Sequence, residues 1–256
     1  VSPVAFEALE PYTARAMTQR LVQVFEKVTV KELDKLNLGC GLTTPEGWLN
    51  VDGSWQVRLS RLPYLCRLLG ILGLVPKKQS EIPWSKSILC LDIKKKLPFS
   101  NDSFTAVYSS HLLEHLPRNG ALQILKECRR ILRPGGVCRA VVPDLEHLAK
   151  EYLKSKEAEG SSHKDPAREF VKALHLRKDE SYEGSVFYRL YQALTDFHTH
   201  KWMYDKESLV LLFKEAGFRN AEPRRFLESR IEGIEEVEIK DRVENGAGIC
   251  VEGIKS

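Results

Sequence analysis

Lys35-Leu36-Asn37-Leu38-Gly39-Cys40-Gly41 reads as a short buried strand that runs into a glycine turn. Gly39 and Gly41 have no Cβ, so the backbone there turns tightly and lets a ligand come close. Free N–H groups at such a strand-to-loop junction suit an anionic or polar ligand group. Downstream, Trp48-Leu49-Asn50-Val51-Asp52 and Ile88-Leu89-Cys90-Leu91-Asp92 read as two further strands, each ending on an acidic residue. Phe104 to Ser109 reads as a fourth, leading into Ser110-His111-Leu112-Leu113-Glu114-His115-Leu116. In open parallel sheets, ligands bind beyond the carboxyl ends of the strands, which puts Ser109, Ser110 and His111 on the ligand face. A dinucleotide fingerprint wants a third glycine opening a helix, and Thr44 stands there instead. That weakens a dinucleotide reading.

The glycine loop, the Leu113-Glu114-His115-Leu116 segment and the turn Arg133-Pro134-Gly135-Gly136 together resemble the class I S-adenosylmethionine-dependent methyltransferases. The resemblance covers Leu36 to Val142 best. It implies an α/β, Rossmann-like fold with a seven-stranded, mostly parallel sheet flanked by helices, and S-adenosyl-L-methionine as cofactor. Carried onto these residues, it implies cofactor contacts from Asn37, Gly39, Cys40, Gly41, Asp52, Gly53, Asp92, Ile93, Ser110 and His111. Asp52 would accept from the ribose hydroxyls and Asp92 from the adenine amino group, with the Ile93 N–H beside a ring nitrogen. Asn37 departs from the acidic residue more common at its position. Either Asp has a bland reading too, as a turn former or helix cap.

The 256 residues fit one domain, with 1–34 as a helical lead-in and with insertions at 54–87 and 155–204. Apolar Leu21, Val24, Phe25 and Val28 give the lead-in one helical face. Residues 57–78 are basic and leucine-rich. They are too short to span a bilayer, which needs about 20 apolar residues. They suit a helix on the sheet edge or over the substrate, or else a peripheral contact with a lipid surface. A net charge of +4 gives no argument for nucleic acid. Six scattered cysteines without a Cys-x-x-Cys pair favour a reducing, cytoplasmic setting. The chain begins with Val1, which leaves room for a removed leader. Nothing in the sequence sets an oligomeric state.

Gly120 to Leu132 carries one apolar stripe, ended by the Pro-Gly-Gly turn, with Val137 to Val142 as strand five. Asp144 suits a helix N-cap and sits where a substrate contact would fall. Short helices are expected over Ala167–Leu176 and Ser185–Leu194, and strand six over Phe218–Phe226, with Pro223 marking a bulge or edge. Gly248 to Ile254 is a final strand, and the resemblance implies that it lies antiparallel beside strand six.

His111-Leu112-Leu113-Glu114-His115 also matches His-x-x-Glu-His, a zinc-peptidase pattern. That motif needs a long helix, and Pro117 stops one. No metal is assigned. The stretch Asp196-Phe197-His198-Thr199-His200-Lys201-Trp202-Met203-Tyr204-Asp205 concentrates histidines and aromatics before a helix over Asp205–Ala216. His198 and His200 titrate in the right range for a general base, and His111 is the first candidate. Asp144, Trp202 and Tyr204 are the substrate candidates. The acceptor is read as small or medium and polar, with a sugar hydroxyl of a glycan or glycolipid leading, partly on similarity to methyltransferases of glycan assembly. Small-molecule N- or C-methylation stands as the alternative. A non-catalytic cofactor-binding protein and a zinc hydrolase are the other classes.

Overall fold

The computed structural model describes residues 33–62, 64, 69, 71, 82–157, 165–176, 199–244 and 248–256. The expected lead-in helix, most of the leucine-rich insertion, the 185–194 helix and His198 lie outside the described residues.

Seven strands form one sheet: β1 (Lys35–Leu38), β2 (Leu49–Asp52), β3 (Leu89–Cys90), β4 (Phe104–Ser110), β5 (Leu132–Val142), β6 (Arg219–Arg224) and β7 (Ile249–Ile254). Their order is β3-β2-β1-β4-β5-β7-β6. The pairs β1–β2, β1–β4, β2–β3 and β4–β5 are parallel, and β7 runs antiparallel between β5 and β6. The order reverses between β1 and β4, so their carboxyl ends flank the crevice where such sheets bind ligands. The described helices are α1 (Trp55–Ser60), α2 (Arg118–Ile131), α3 (Leu145–Glu157), α4 (Pro166–Ala173) and α5 (Lys206–Glu215).

Side chains alternate across the sheet as the pleat requires. From β4 and β5, Val107, Cys138, Ala140 and Val142 enter the main core with α2 and α5. Ala106, Tyr108, Val137 and Val141 face the other way, where Trp48, Ile231, Ile234 and Val237 close over them. α2 docks by Ala121, Ile124, Leu125, Cys128 and Ile131, all buried and spaced three or four apart. α5 starts at a capping box: Asp205 accepts from the Ser208 N–H, and Ser208 accepts from the Asp205 N–H.

Several expected boundaries change, four of them for a physical reason the contacts show. Strand five begins at Leu132, directly from α2, because Arg133–Gly136 is a bulge within the strand and not a separate turn. The register jumps from Phe104–Leu132 to Ala106–Val137, and Gly135 N–H and Gly136 C=O both bond to Lys255. β3 shortens to two residues, since only Leu89 and Cys90 pair with β2. β6 keeps Arg219–Arg224, an edge strand that holds Pro223 and a register shift. α4 starts at Pro166, capped by the Asp165 carboxylate. Among the described residues, no helix is long and apolar enough to cross a membrane.

Candidate functional site

The glycine loop is held from below. Gly39 and Cys40 both donate N–H bonds to Val51 O, at 2.8 and 3.1 Å. Gly41 donates to Asp52 Oδ2 at 3.0 Å, and Asp52 Oδ1 accepts the Ser54 N–H at 2.7 Å. The buried Asp52 carboxylate is thus fixed by two backbone groups, and each oxygen keeps a lone pair for a ligand. Gly39 and Gly41 have φ of +70° and +55°. A Cβ on Gly41 would meet nothing within 4 Å, so the space beside the loop is open. Gly53 is small for another reason: a Cβ there would stand 2.2 Å from Leu91 O, so glycine is what lets β2 run on past β3.

Asn37 braces the loop's far limb. Its amide donates to Thr43 O at 2.9 Å and Asn50 Oδ1 at 3.0 Å, and Asn50 in turn holds Pro45 O and Trp48 O. An amide can do this where a carboxylate, lacking donors, cannot. Cys40 is buried, and burial with the Asp52 charge pushes its thiol up to about 12. It stays a neutral packing group. Asp92 is partly exposed beyond β3, accepting from the Lys94 N–H, and Ile93 packs against the core.

At the β4 tip, Ser110 Oγ and Tyr108 Oη are buried without a hydrogen-bond partner among the described residues, although Ser110 lies close enough to influence the tyrosine. Both line a small cavity with Asn37, Gly39, Cys40 and Arg242. His111 follows with φ of +53°, a conformation that non-glycine residues rarely hold without a local reason. Its N–H bonds to Val141 O at 2.9 Å. Its Nδ1 is 3.2 Å from Glu114 Oε1, and its Nε2 is 3.4 Å from Arg242 O.

Behind His111, Leu113–His115 forms a single 3-10 turn, and Pro117 caps α2. The long helix of a His-x-x-Glu-His peptidase does not form. Lys201 and Trp202 donate their N–H groups to Glu114 O at 2.7 and 3.2 Å, which brings His200 against this turn. His200 is 9% exposed, its ring 5.1 Å from that of His115 and 5.2 Å from that of His175. Burial holds its pKa below the usual histidine value, so it is neutral at pH 7.

Of the substrate candidates, Trp202 is 45% exposed. Asp144 caps α3 through the Glu146 and His147 N–H groups, and its backbone bridges to Tyr204. Tyr204 is buried to 1%, and burial and the Glu114 charge raise its phenol pKa. It belongs to the wall behind the turn and is closed to an acceptor. Glu114 stands out in the sequence as a turn residue and as the acid of the His-x-x-Glu-His pattern, not as a partner of His111. The sequence does not mark Val237, Ile239 and Arg242 as site residues, because the 231–244 segment reaches the cavity from far along the chain.

Residues 73–140 match the family model described as a methyltransferase domain. No curated protein matches the chain significantly in sequence. Among solved structures, the chain is similar to a methyltransferase of Haloferax volcanii in complex with the methyltransferase activator Trm112, at 15% identity, 92% of this chain, 94% of that chain and a TM-score of 0.43. It is similar to a SAM-dependent methyltransferase from Thermotoga maritima, at 20% identity, 97% and 96% coverage and a TM-score of 0.42. One from Archaeoglobus fulgidus gives 14%, 99% and 100%, and 0.40. At such scores the weight falls on the family match and on the sheet order.

Proposed function

We propose that this chain is a class I S-adenosylmethionine-dependent methyltransferase and that it transfers the methyl to a hydroxyl of a sugar, carried by a glycan or a glycolipid. The observation behind the choice of hydroxyl is the His111–Glu114 pair, 3.2 Å apart at the β4 tip. An alcohol must lose its proton to become a good nucleophile, whereas a neutral amine attacks as it stands. A histidine backed by a buried carboxylate suits the first case.

The residues present fit the cofactor. The orphaned Ser110 Oγ wants a partner, the space beside Gly41 is open, and the Asp52 carboxylate is held in place by two N–H groups. Asp52 would take the ribose hydroxyls and Asp92 the adenine amino group, with Asn37 keeping the loop limb in place. The bound cofactor supplies an electrophilic sulfonium methyl. The protein's share is to hold the acceptor oxygen in line with that methyl. His111 Nε2 takes the hydroxyl proton, giving up its long contact with Arg242 O. The Glu114 charge stabilises the imidazolium that results. His200 packs on the turn between His115 and His175, so among the described histidines the base role goes to His111, whose Nε2 lies 3.4 Å from the carbonyl of the cavity residue Arg242. Trp202 and Asp144 would contact the acceptor.

Calorimetric titration with S-adenosylmethionine and S-adenosylhomocysteine comes first, and micromolar binding of both is expected. Labelled methyl transfer onto glycans, glycolipids and hydroxylated small molecules then finds the acceptor. His111→Asn should lower turnover by about 10²–10⁴-fold while cofactor affinity stays put. Undiminished turnover would remove His111 as the base and favour the amine alternative. No cofactor binding would overturn the reading altogether.

A further inference from the structure

Glu114 is the most unusual buried side chain among the described residues. It is fully buried, and neither carboxylate oxygen has a hydrogen-bond partner there. His111 Nδ1 stands 3.2 Å from Oε1 without making a formed hydrogen bond. Buried carboxylates are normally paired, hydrogen-bonded or bound to a metal. Close by, His200 Nδ1 is buried and also has no partner among the described residues, as does the Tyr204 hydroxyl. Such a concentration of unmet polar atoms in one wall calls for a ligand.

We propose that Glu114, His115 and His200 form a binding site for a divalent transition-metal ion of the zinc type. One ligand atom from each lies within 4.8 Å of the others. The main chain sets this convergence. Glu114 and His115 are neighbours on the 3-10 turn. The turn's carbonyl at Glu114 accepts from Lys201 and Trp202, and His200 N–H bonds to His175 O at 2.9 Å. His115 Nδ1 lies 3.3 Å from Thr199 O. Donation to that carbonyl fixes the tautomer and leaves Nε2 free as a ligand, the usual outer support of a metal-bound histidine. Two imidazoles and one carboxylate are a zinc donor set, with room for water in a fourth position. Calcium and magnesium prefer all-oxygen shells. Bound metal would clip the returning 199–202 segment to the β4 tip. The site differs from the His-x-x-Glu-His pattern, because its third ligand comes from His200 and His111 is not in it.

The test uses the full chain without an affinity tag, stripped with a chelator and titrated with Co²⁺ alone and then with Zn²⁺ alone. Expected are one equivalent per chain at micromolar affinity or tighter, a visible Co²⁺ absorption band, and its loss when Zn²⁺ is added. Glu114→Gln and His200→Ala should each weaken binding by about tenfold or more, and His147→Ala, on α3 outside the cluster, should not. The wild-type titration needs no variant to fold. No binding by the wild type, undiminished binding in both cluster variants, equal loss in His147→Ala, or tighter Mg²⁺ than Zn²⁺ binding would each overturn the proposal. Titrating the same samples with S-adenosylmethionine separates failure of the metal site from failure of the methyltransferase reading.

Discussion

Arg139 holds two carboxylates at once in the interior of the molecule. Nε and one terminal nitrogen form a fork on Glu238 at 2.7 and 2.8 Å, and Nη1 reaches Glu252 at 3.0 Å. The carbonyls of Arg225 and Glu228 take the two remaining N–H groups, both at 2.9 Å. All five donors are used, and all three charged side chains are fully buried. The network ties 225–238 down onto β5, and this segment supplies Val237 to the cavity wall. Removing one partner of a buried pair leaves an uncompensated charge, and here Glu238 would lose its arginine while Glu252 would keep only Arg224 and Arg230, each 3.8 Å away. Arg139→Ala should therefore cost about 3–5 kcal/mol, read as a lower urea midpoint. Arg139→Lys should fall between, since it keeps the charge and loses the fork. A midpoint unchanged in Arg139→Ala would mean that the carboxylates simply take up protons. In sequence, Arg139 stands in an apolar run, and neither glutamate is near it. Nothing local shows the triad, because pairing across 99 and 113 positions exists only once β5, β7 and the 225–238 segment are stacked. Asp52, by contrast, was legible, because an acid at a strand end beside a glycine loop needs only local order.

Among the elements, α2 carries its own clasp. Glu127 accepts the Leu97 N–H at 2.7 Å and two bonds from Arg130 at 2.6 and 2.9 Å. Arg130 goes on to the carbonyls of Leu97 and Phe99 and to Asn101 Oδ1, fastening the 97–101 loop to the helix. Burial alone would raise the Glu127 carboxyl, but these donors outweigh it and hold it below the usual carboxylate value. A depressed folded pKa contributes stability that is whole above the unfolded value, near ~4.3, and is lost as pH falls through the folded one. Glu127→Gln should thus be less stable than wild type at pH 7, and the gap in urea midpoint should close by pH ~3. A gap independent of pH would put the loss down to packing. The helix itself was plain from its apolar stripe, and the last strand from its apolar run. The start of strand five was not, because Arg-Pro-Gly-Gly is turn chemistry wherever it is met. Only pairing with Lys255, from the other end of the chain, turns it into a bulge within a strand.

Across the whole molecule, the sequence carries the parallel half of the sheet well, since its strands are short apolar runs closed by glycine or polar residues. The resemblance puts β7 beside β6, but nothing local shows its pairing with β5, which depends on partners far along the chain. Nor does the sequence carry the His200 return to Glu114, for the same reason. The parallel half has a thermodynamic consequence. The glycine loop, Asp52 and Asp92 come from three strands that fold together, so a ligand binding all three binds the folded chain and not the unfolded one. Stabilisation then grows as RT ln(1 + [L]/Kd), about 2.7 kcal/mol at 100 times Kd. For a chain of this size that raises Tm by roughly 5–10 °C. Asp52→Ala should weaken S-adenosylmethionine by something like 1–3 kcal/mol, the cost of leaving buried polar partners unmatched. At the same ligand concentration its Tm shift should shrink accordingly. Asp52 also caps Gly41 and Ser54, so the variant's ligand-free Tm should fall as well. The two effects separate cleanly: the cap sets the ligand-free Tm, and the cofactor contact sets the ligand-induced shift. A variant with lower Tm and a full shift would leave Asp52 as a loop brace alone, whereas loss of both would show one carboxylate holding the loop and the ribose together.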